Sequence, residues 1–200
     1  MGLFLAMSSV VGAKPPEVEA CVAKYVASRG GTFERASSGL SEDQEARLLE
    51  SQGGVTLVYP DRFIEWDELS AKLSADLKKP TFSFHIHDGD LWMFVLFVNG
   101  EEAVKFNPIP DYWEELKADE RAKWLPTPDQ VARHVPGVRS ERLASYLVEW
   151  PEDGLPGKAR PEDQFEFIDW QVVDFMRELG FRYPDPGQGF SYQFKVKRRR

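Results

Sequence analysis

Residues Thr81 to Asn107 read TFSFHIHDGDLWMFVLFVNGEEAVKFN, three apolar-rich runs separated by Asp88-Gly89 and Asn99-Gly100. Asp-Gly and Asn-Gly readily take the positive backbone angles of tight primed turns, so this stretch predicts a three-stranded antiparallel meander. Alternate side chains of a strand point to opposite faces. Phe82, Phe84 and Ile86 therefore share one face, and Thr81, Ser83, His85 and His87 share the other. The next run, Leu91 to Val98, is apolar on both faces, so both sides of the sheet need a cover.

The flanking pattern supplies candidates for that cover. Gly2 to Ser9 reads as a strand. Val18, Val22, Tyr25 and Val26 recur at helical spacing, which predicts a helix over Pro16 to Ser28 ended by Gly30-Gly31. Thr32 to Ala36 and Val55 to Tyr59 read as strands, and Glu65 to Leu77 as a second helix. Between them, Ser41 followed by Glu42, Asp43 and Gln44 looks like a helix start, with Ala46, Leu48 and Leu49 on its buried side. The strand-helix order through Thr81 is β-α-β-β-α-β, that of the ferredoxin-like split β-α-β. The expected class is α+β: either this ferredoxin-like fold or an extended antiparallel sheet with packed helices, in both cases with a helical C-terminal half.

After Asn107-Pro108-Ile109-Pro110 the pattern changes to short helical candidates, Asp111 to Trp124, Thr127 to His134 and Ser140 to Val148. Thr127 is a good N-cap with Pro128 at the first helical position. Phe167 to Leu179 predicts a longer helix, and Phe190 to Val196 a final edge strand. The expected organisation is a single domain over 1–200, with a sheet core at 1–109, a mainly helical portion packed on it at 110–189, and a basic tail at 195–200.

Hydrophobic residues make up 42% of the 200-residue chain and aromatic residues 13%, enough for a packed core. The single cysteine, Cys21, rules out an intramolecular disulfide and any multi-cysteine zinc site. Among Val18, Val22 and Tyr25 it reads as a small buried hydrophobe, which fits a reducing cytoplasm. The opening MGLFLAMSSVVGA lacks the positive start of a signal peptide, and Ala6 breaks the myristoylation pattern. No apolar run approaches the roughly 20 residues that span a bilayer.

Net charge is -8, but the last six residues, KVKRRR, carry five positive charges. Without them 20 basic residues face 33 acidic ones, a body of -13. Such a body repels phosphate backbones, so nucleic acid is an unlikely partner except through the 195–200 tail. It suits a basic protein partner instead, with no membrane.

Three clusters stand out chemically. His85-Ile86-His87-Asp88 puts two imidazoles on one strand face, where with Asp88 or Asp90 they could hold a divalent metal such as zinc. Metal-dependent lactamase-type hydrolases also use His-x-His at a strand end. They place Asp two residues after the second His, where this chain has Gly89. The other reading is structural: Asp88-Gly89 is a turn, and the two His lie on a half-exposed sheet face. Asp111-Tyr112-Trp113-Glu114-Glu115 and Trp150-Pro151-Glu152-Asp153 are acidic-aromatic clusters. Trp113, Glu114, Glu115, Trp150, Glu152 and Asp153 could dock a basic surface. Equally, Trp113 could fold back on the sheet, with Glu114 and Glu115 in a helix's first turn. No Gly-x-Gly-x-x-Gly, Walker loop or Gly-x-Ser-x-Gly occurs, and Ser8-Ser9 has no visible catalytic partner.

The run from Phe84 to Met93, with Asn99-Gly100 and then Phe106-Asn107-Pro108-Ile109-Pro110-Asp111-Tyr112-Trp113, resembles uncharacterised bacterial immunity-type or interaction proteins. These share a His-x-His-Asp-x-Asp-x-Trp strand pair and a similar Phe-Asn ending. The resemblance implies His87, Asp88, Asp90, Trp92 and Asn107 as recurrent positions and supplies no catalytic residue. The expected function is thus non-enzymatic protein binding, immunity-type or regulatory, through an acidic, Trp-bearing surface. The alternative is a metal-dependent hydrolase built on His85 and His87.

Overall fold

A computed structural model of the chain describes residues 3–36, 40–151, 157–165, 170–185 and 188–196. In chain order the elements are β1 (Leu5–Val11), α1 (Pro15–Ser28), β2 (Thr32–Arg35), β3 (Glu45–Ser51), β4 (Gly54–Val58), α2 (Trp66–Leu77), β5 (Thr81–His87), β6 (Leu91–Val98) and β7 (Glu101–Phe106), then α3 (Ala118–Ala122), α4 (Pro128–Ala132), α5 (Ser140–Leu143), α6 (Gln171–Glu178) and β8 (Phe190–Lys195). The strands form one 8-stranded sheet in the order β2-β8-β3-β4-β1-β5-β6-β7, with every neighbouring pair antiparallel. The fold is α+β, and of the two architectures expected it is the extended antiparallel sheet.

The meander forms as its turns dictate. Val98 pairs with Glu101 across Asn99 (φ 54°) and Gly100 (φ 89°), both left-handed as a type I′ turn requires. His87 pairs with Leu91 across Asp88 (φ 52°), Gly89 and Asp90, and the Asp90 amide donates to the His87 carbonyl at 2.9 Å. β4 and β5 are each antiparallel to β1, so they are parallel to one another. The crossover helix α2 carries the chain from one to the other over β1, a split β-α-β.

Two expectations are corrected. The segment after Ser41 is not a helix: Glu45–Ser51 is β3, hairpinned to β4. Glu, Ala, Arg and Leu are good helix formers, but pairing on both sides outweighs that weak preference. Ala46 and Leu48 point to one face, while Leu49 is buried on the other. Phe190–Lys195 is not an edge strand either, because β8 lies between β2 and β3.

Both faces of the sheet are covered. On one, α1 and α2 pack Val18, Val22, Tyr25, Leu69 and Leu73 against Val10, Leu57 and Tyr192. On the other, Tyr146, Val172 and Phe175 from the C-terminal half pack against Phe84, Trp92 and Phe94. The helices of that half are short, and polar contacts hold them. Thr127 caps α4 as expected: its amide donates to Gln130 Oε1 at 2.7 Å. The fully buried Asp174 carboxylate accepts the amides of Gln164 and Phe165, each at 3.1 Å, and pairs with Arg177. Tyr146 donates to Asp163 at 2.6 Å. Among the described residues no helix is long and apolar enough to cross a membrane.

Candidate functional site

The site begins with sheet parity. On the α1/α2 face, Ala6 of β1 pairs with His85 of β5, and on its other side its carbonyl accepts the Tyr59 amide at 3.1 Å. A methyl group between a phenol and an imidazole leaves a depression in the sheet surface. The loop Pro60–Ile64 and the first turn of α2 wall it in, giving a cleft of about 640 Å³ lined by Phe4, Ala6, Tyr59, Phe63, Ile64, Trp66, His85 and His87 among others. Glu42, Asp61 and Arg62 stand at its polar side.

The rings are in contact from floor to rim. Trp66 lies on His85 with centroids 4.6 Å apart, and His85 meets His87 at 5.7 Å. His87 is met edge-on by Phe4 at 5.1 Å, by Tyr112 at 5.6 Å and by Trp113 at 5.2 Å. Tyr112 also donates to Asp90 Oδ2 at 2.7 Å, tying the segment after β7 to the β5–β6 turn. Two clusters that are separate in sequence, the His pair and Tyr112-Trp113, thus form one surface.

Burial pushes the His85 imidazole down to about 4, and His87 beside it acts in the same direction. The His85 imidazole is therefore uncharged at neutral pH. Burial raises the Tyr59 phenol, whose hydroxyl is hydrogen-bonded to Ser8; Ser8 in turn meets Ser70 Oγ at 2.6 Å. Ser8 is thus committed to a buried hydroxyl chain rather than poised as a nucleophile. The Cys21 thiol is buried as expected, and burial first, then Asp76, pushes it up to about 11, which leaves it unreactive at neutral pH.

The candidates separate cleanly. Trp113 is 54% exposed, and Glu114 and Glu115 beside it are exposed too. Trp150, expected on a docking surface, is instead 7% exposed in the core beneath the sheet, its amide donating to the Pro108 carbonyl at 2.9 Å. An indole is large enough to complete a core between short helices, and here it does so. Glu152 and Asp153 lie outside the described residues. His85 and His87 share a face as alternation requires, while Asp88 sits exposed in the turn. Among the described residues no group of three His, Cys, Asp or Glu side chains converges to hold a metal. Asn107 is buried, and its side-chain oxygen accepts the Ile109 amide at 2.9 Å; Trp92 is fully buried. Both build the framework rather than the surface.

Phe4, Ala6, Phe63 and Ile64 also line the cleft, and no motif in the sequence marks them. Ile64 is 75% exposed and Phe4 53%. The available signal is an apolar pair, Phe63-Ile64, inside a Pro-led loop; Phe63 packs partly against Tyr59 and Phe194, while Ile64 is left exposed. The chain matches no family model, no curated protein and no solved structure.

Proposed function

We propose that this chain is a non-enzymatic protein-binding protein, immunity-type or regulatory, that receives a basic partner on the aromatic face around His87. The observation that carries this reading is the junction of Trp113 with His87, which joins an exposed indole to an open aromatic cleft. Singly exposed apolar residues are ordinary, but a connected group rimmed by polar side chains marks an interaction surface. Phe4, Ile64 and Trp113 are such a group, and Asp88, Asp90, Glu114 and Glu115 are exposed around it. Aromatic anchors supply most of the energy in such contacts, and the acidic body of -13 steers a basic partner toward them. The unreactive buried Cys21 fits residence in a reducing cytoplasm.

The test is a comparison of captures. Full-length chain and its Trp113→Ala/Ile64→Asp variant are each exposed to lysate of the source cell at low salt. A basic protein retained by the first and released from the second is expected. Equal retention of every protein by both would overturn the reading.

A further inference from the structure

The cleft over Ala6 has polar ring edges that the protein leaves unused. Neither His85 nor His87 makes a side-chain hydrogen bond to any described residue, and no ring nitrogen of either is sealed in the core. Both residues line the cleft, so their edges are open to a ligand there. The Trp66 indole N–H likewise has no partner among the described residues and is not sealed. Because burial keeps His85 neutral, its imidazole offers one N–H donor and one bare nitrogen acceptor.

The walls set the shape of what fits. Phe4, Tyr59, Phe63, Trp66, His85 and His87 supply six rings around the cleft. Tyr59 and His85 flank the Ala6 methyl from positions two strand spacings apart, roughly 10 Å. A gap of that width between ring-bearing positions, with only a methyl beneath, suits a flat ring, which gains by stacking or edge contact beyond its buried area. The volume, about 640 Å³, lies within the roughly 300–1,000 Å³ typical of small-molecule sites. Glu42, Asp61 and Arg62 also line the cleft and carry both signs, so shape and hydrogen bonding select the ligand rather than charge.

We infer that this cleft is a binding site for a small flat heteroaromatic molecule with donors and acceptors along its edge, the class of purines, pyrimidines and pterins. A purely apolar occupant would drive water from the imidazole edges and leave them unpaired, at a cost that offsets the area it buries. An edge carrying both donors and acceptors pairs with them, while the face of the ring meets the aromatic walls. The site adds a small ligand to the protein-binding face proposed above and does not depend on the partner, since Trp113 does not line the cleft.

The probes are adenine, cytosine and pterin, titrated into the full chain and followed by NMR. Indole, with a donor but no acceptor, and cyclohexanecarboxamide, with both but no flat ring, are the controls. At least one heteroaromatic is expected to bind with Kd below about 1 mM, more tightly than either control, and to shift the ring signals of His85 and His87. His85→Phe keeps a ring beside Trp66 but removes the nitrogen edge, and is expected to weaken that probe roughly threefold to tenfold while changing indole less. Ala6→Leu fills the floor and should abolish binding; if it fails to fold, Overhauser contacts from the probe to the Ala6 methyl of the parent chain locate the site instead. Failure of all three heteroaromatics to bind, binding no tighter than that of the controls, indifference to His85→Phe, or contacts away from Ala6 would each overturn the inference. None of these outcomes bears on capture of a protein partner through Trp113, which is read separately.

Discussion

The imidazole of His85 and the indole of Trp66 lie ring to ring, centroids 4.6 Å apart and planes inclined by 37°. One ring comes from the sheet and the other from the first turn of α2, so this contact fixes where the helix begins relative to the strand beneath it. It also takes His85 out of water, which is the main reason its imidazole titrates near 4 instead of 6.5.

That displacement has a pH signature. Between about 4 and 6.5 the unfolded chain binds a proton at His85 and the folded chain does not. Stability contributed by the neutral imidazole is therefore fully present above about 6.5 and is lost as pH falls toward 4, by at most about 3 kcal/mol. His85→Gln should flatten this part of the stability curve. NMR titration of the imidazole should find its midpoint near 4, and a midpoint near 6.5 would show that His85 is exposed to solvent after all.

Two tryptophans make a paired test of surface against core. Trp113→Ala removes a 54% exposed ring and should change folding stability by no more than about 0.5 kcal/mol. Trp150→Ala empties a site that is 7% exposed and should cost about 3–5 kcal/mol. Urea melts of both variants measure this directly; similar losses in the two would contradict the assignment of Trp113 to a binding face.

The C-terminal half depends on a buried carboxylate. Asp174→Ala would leave the Gln164 and Phe165 amides without their acceptor and should destabilise the chain by about 2–4 kcal/mol. Asp174→Asn keeps an acceptor oxygen and should cost less. Limited proteolysis should then cut the first variant within 157–165 sooner than the parent, while equal cutting would show that the segment is held by other contacts.

The hydrolase alternative makes its own demand. A metal held by His85 and His87 would stabilise the folded chain by mass action, and a chelator would lower its melting temperature. With no third ligand converging on the pair among the described residues, the melting temperature is expected to be the same with and without chelator or added zinc. A zinc-dependent rise that His87→Ala abolishes would favour the hydrolase alternative over protein binding.

Much of the frame could be read from single residues. Asn99-Gly100 announced its type I′ turn because few other dipeptides accept two positive φ angles. Val18, Val22, Tyr25 and Val26 announced a buried helical face. β3 was misread because Glu, Ala, Arg and Leu carry more helix than strand preference, and its partners are supplied from elsewhere. Ala6 could not be recognised as a cleft floor, since an alanine in a strand is informative only when its neighbours across the sheet are known.

By itself the sequence determined what is local: turn chemistry, hydrophobic period, the acidic balance of the body and the burial of its one thiol. Those properties depend on residues a few positions apart, whose geometry the backbone already fixes. Only the tertiary structure decided that β8 would enter between β2 and β3, that Trp150 would be covered, and that Trp113 would come to rest against His87. Those outcomes depend on which distant surfaces bury the most apolar area together, a property of the whole packed chain that no short window contains.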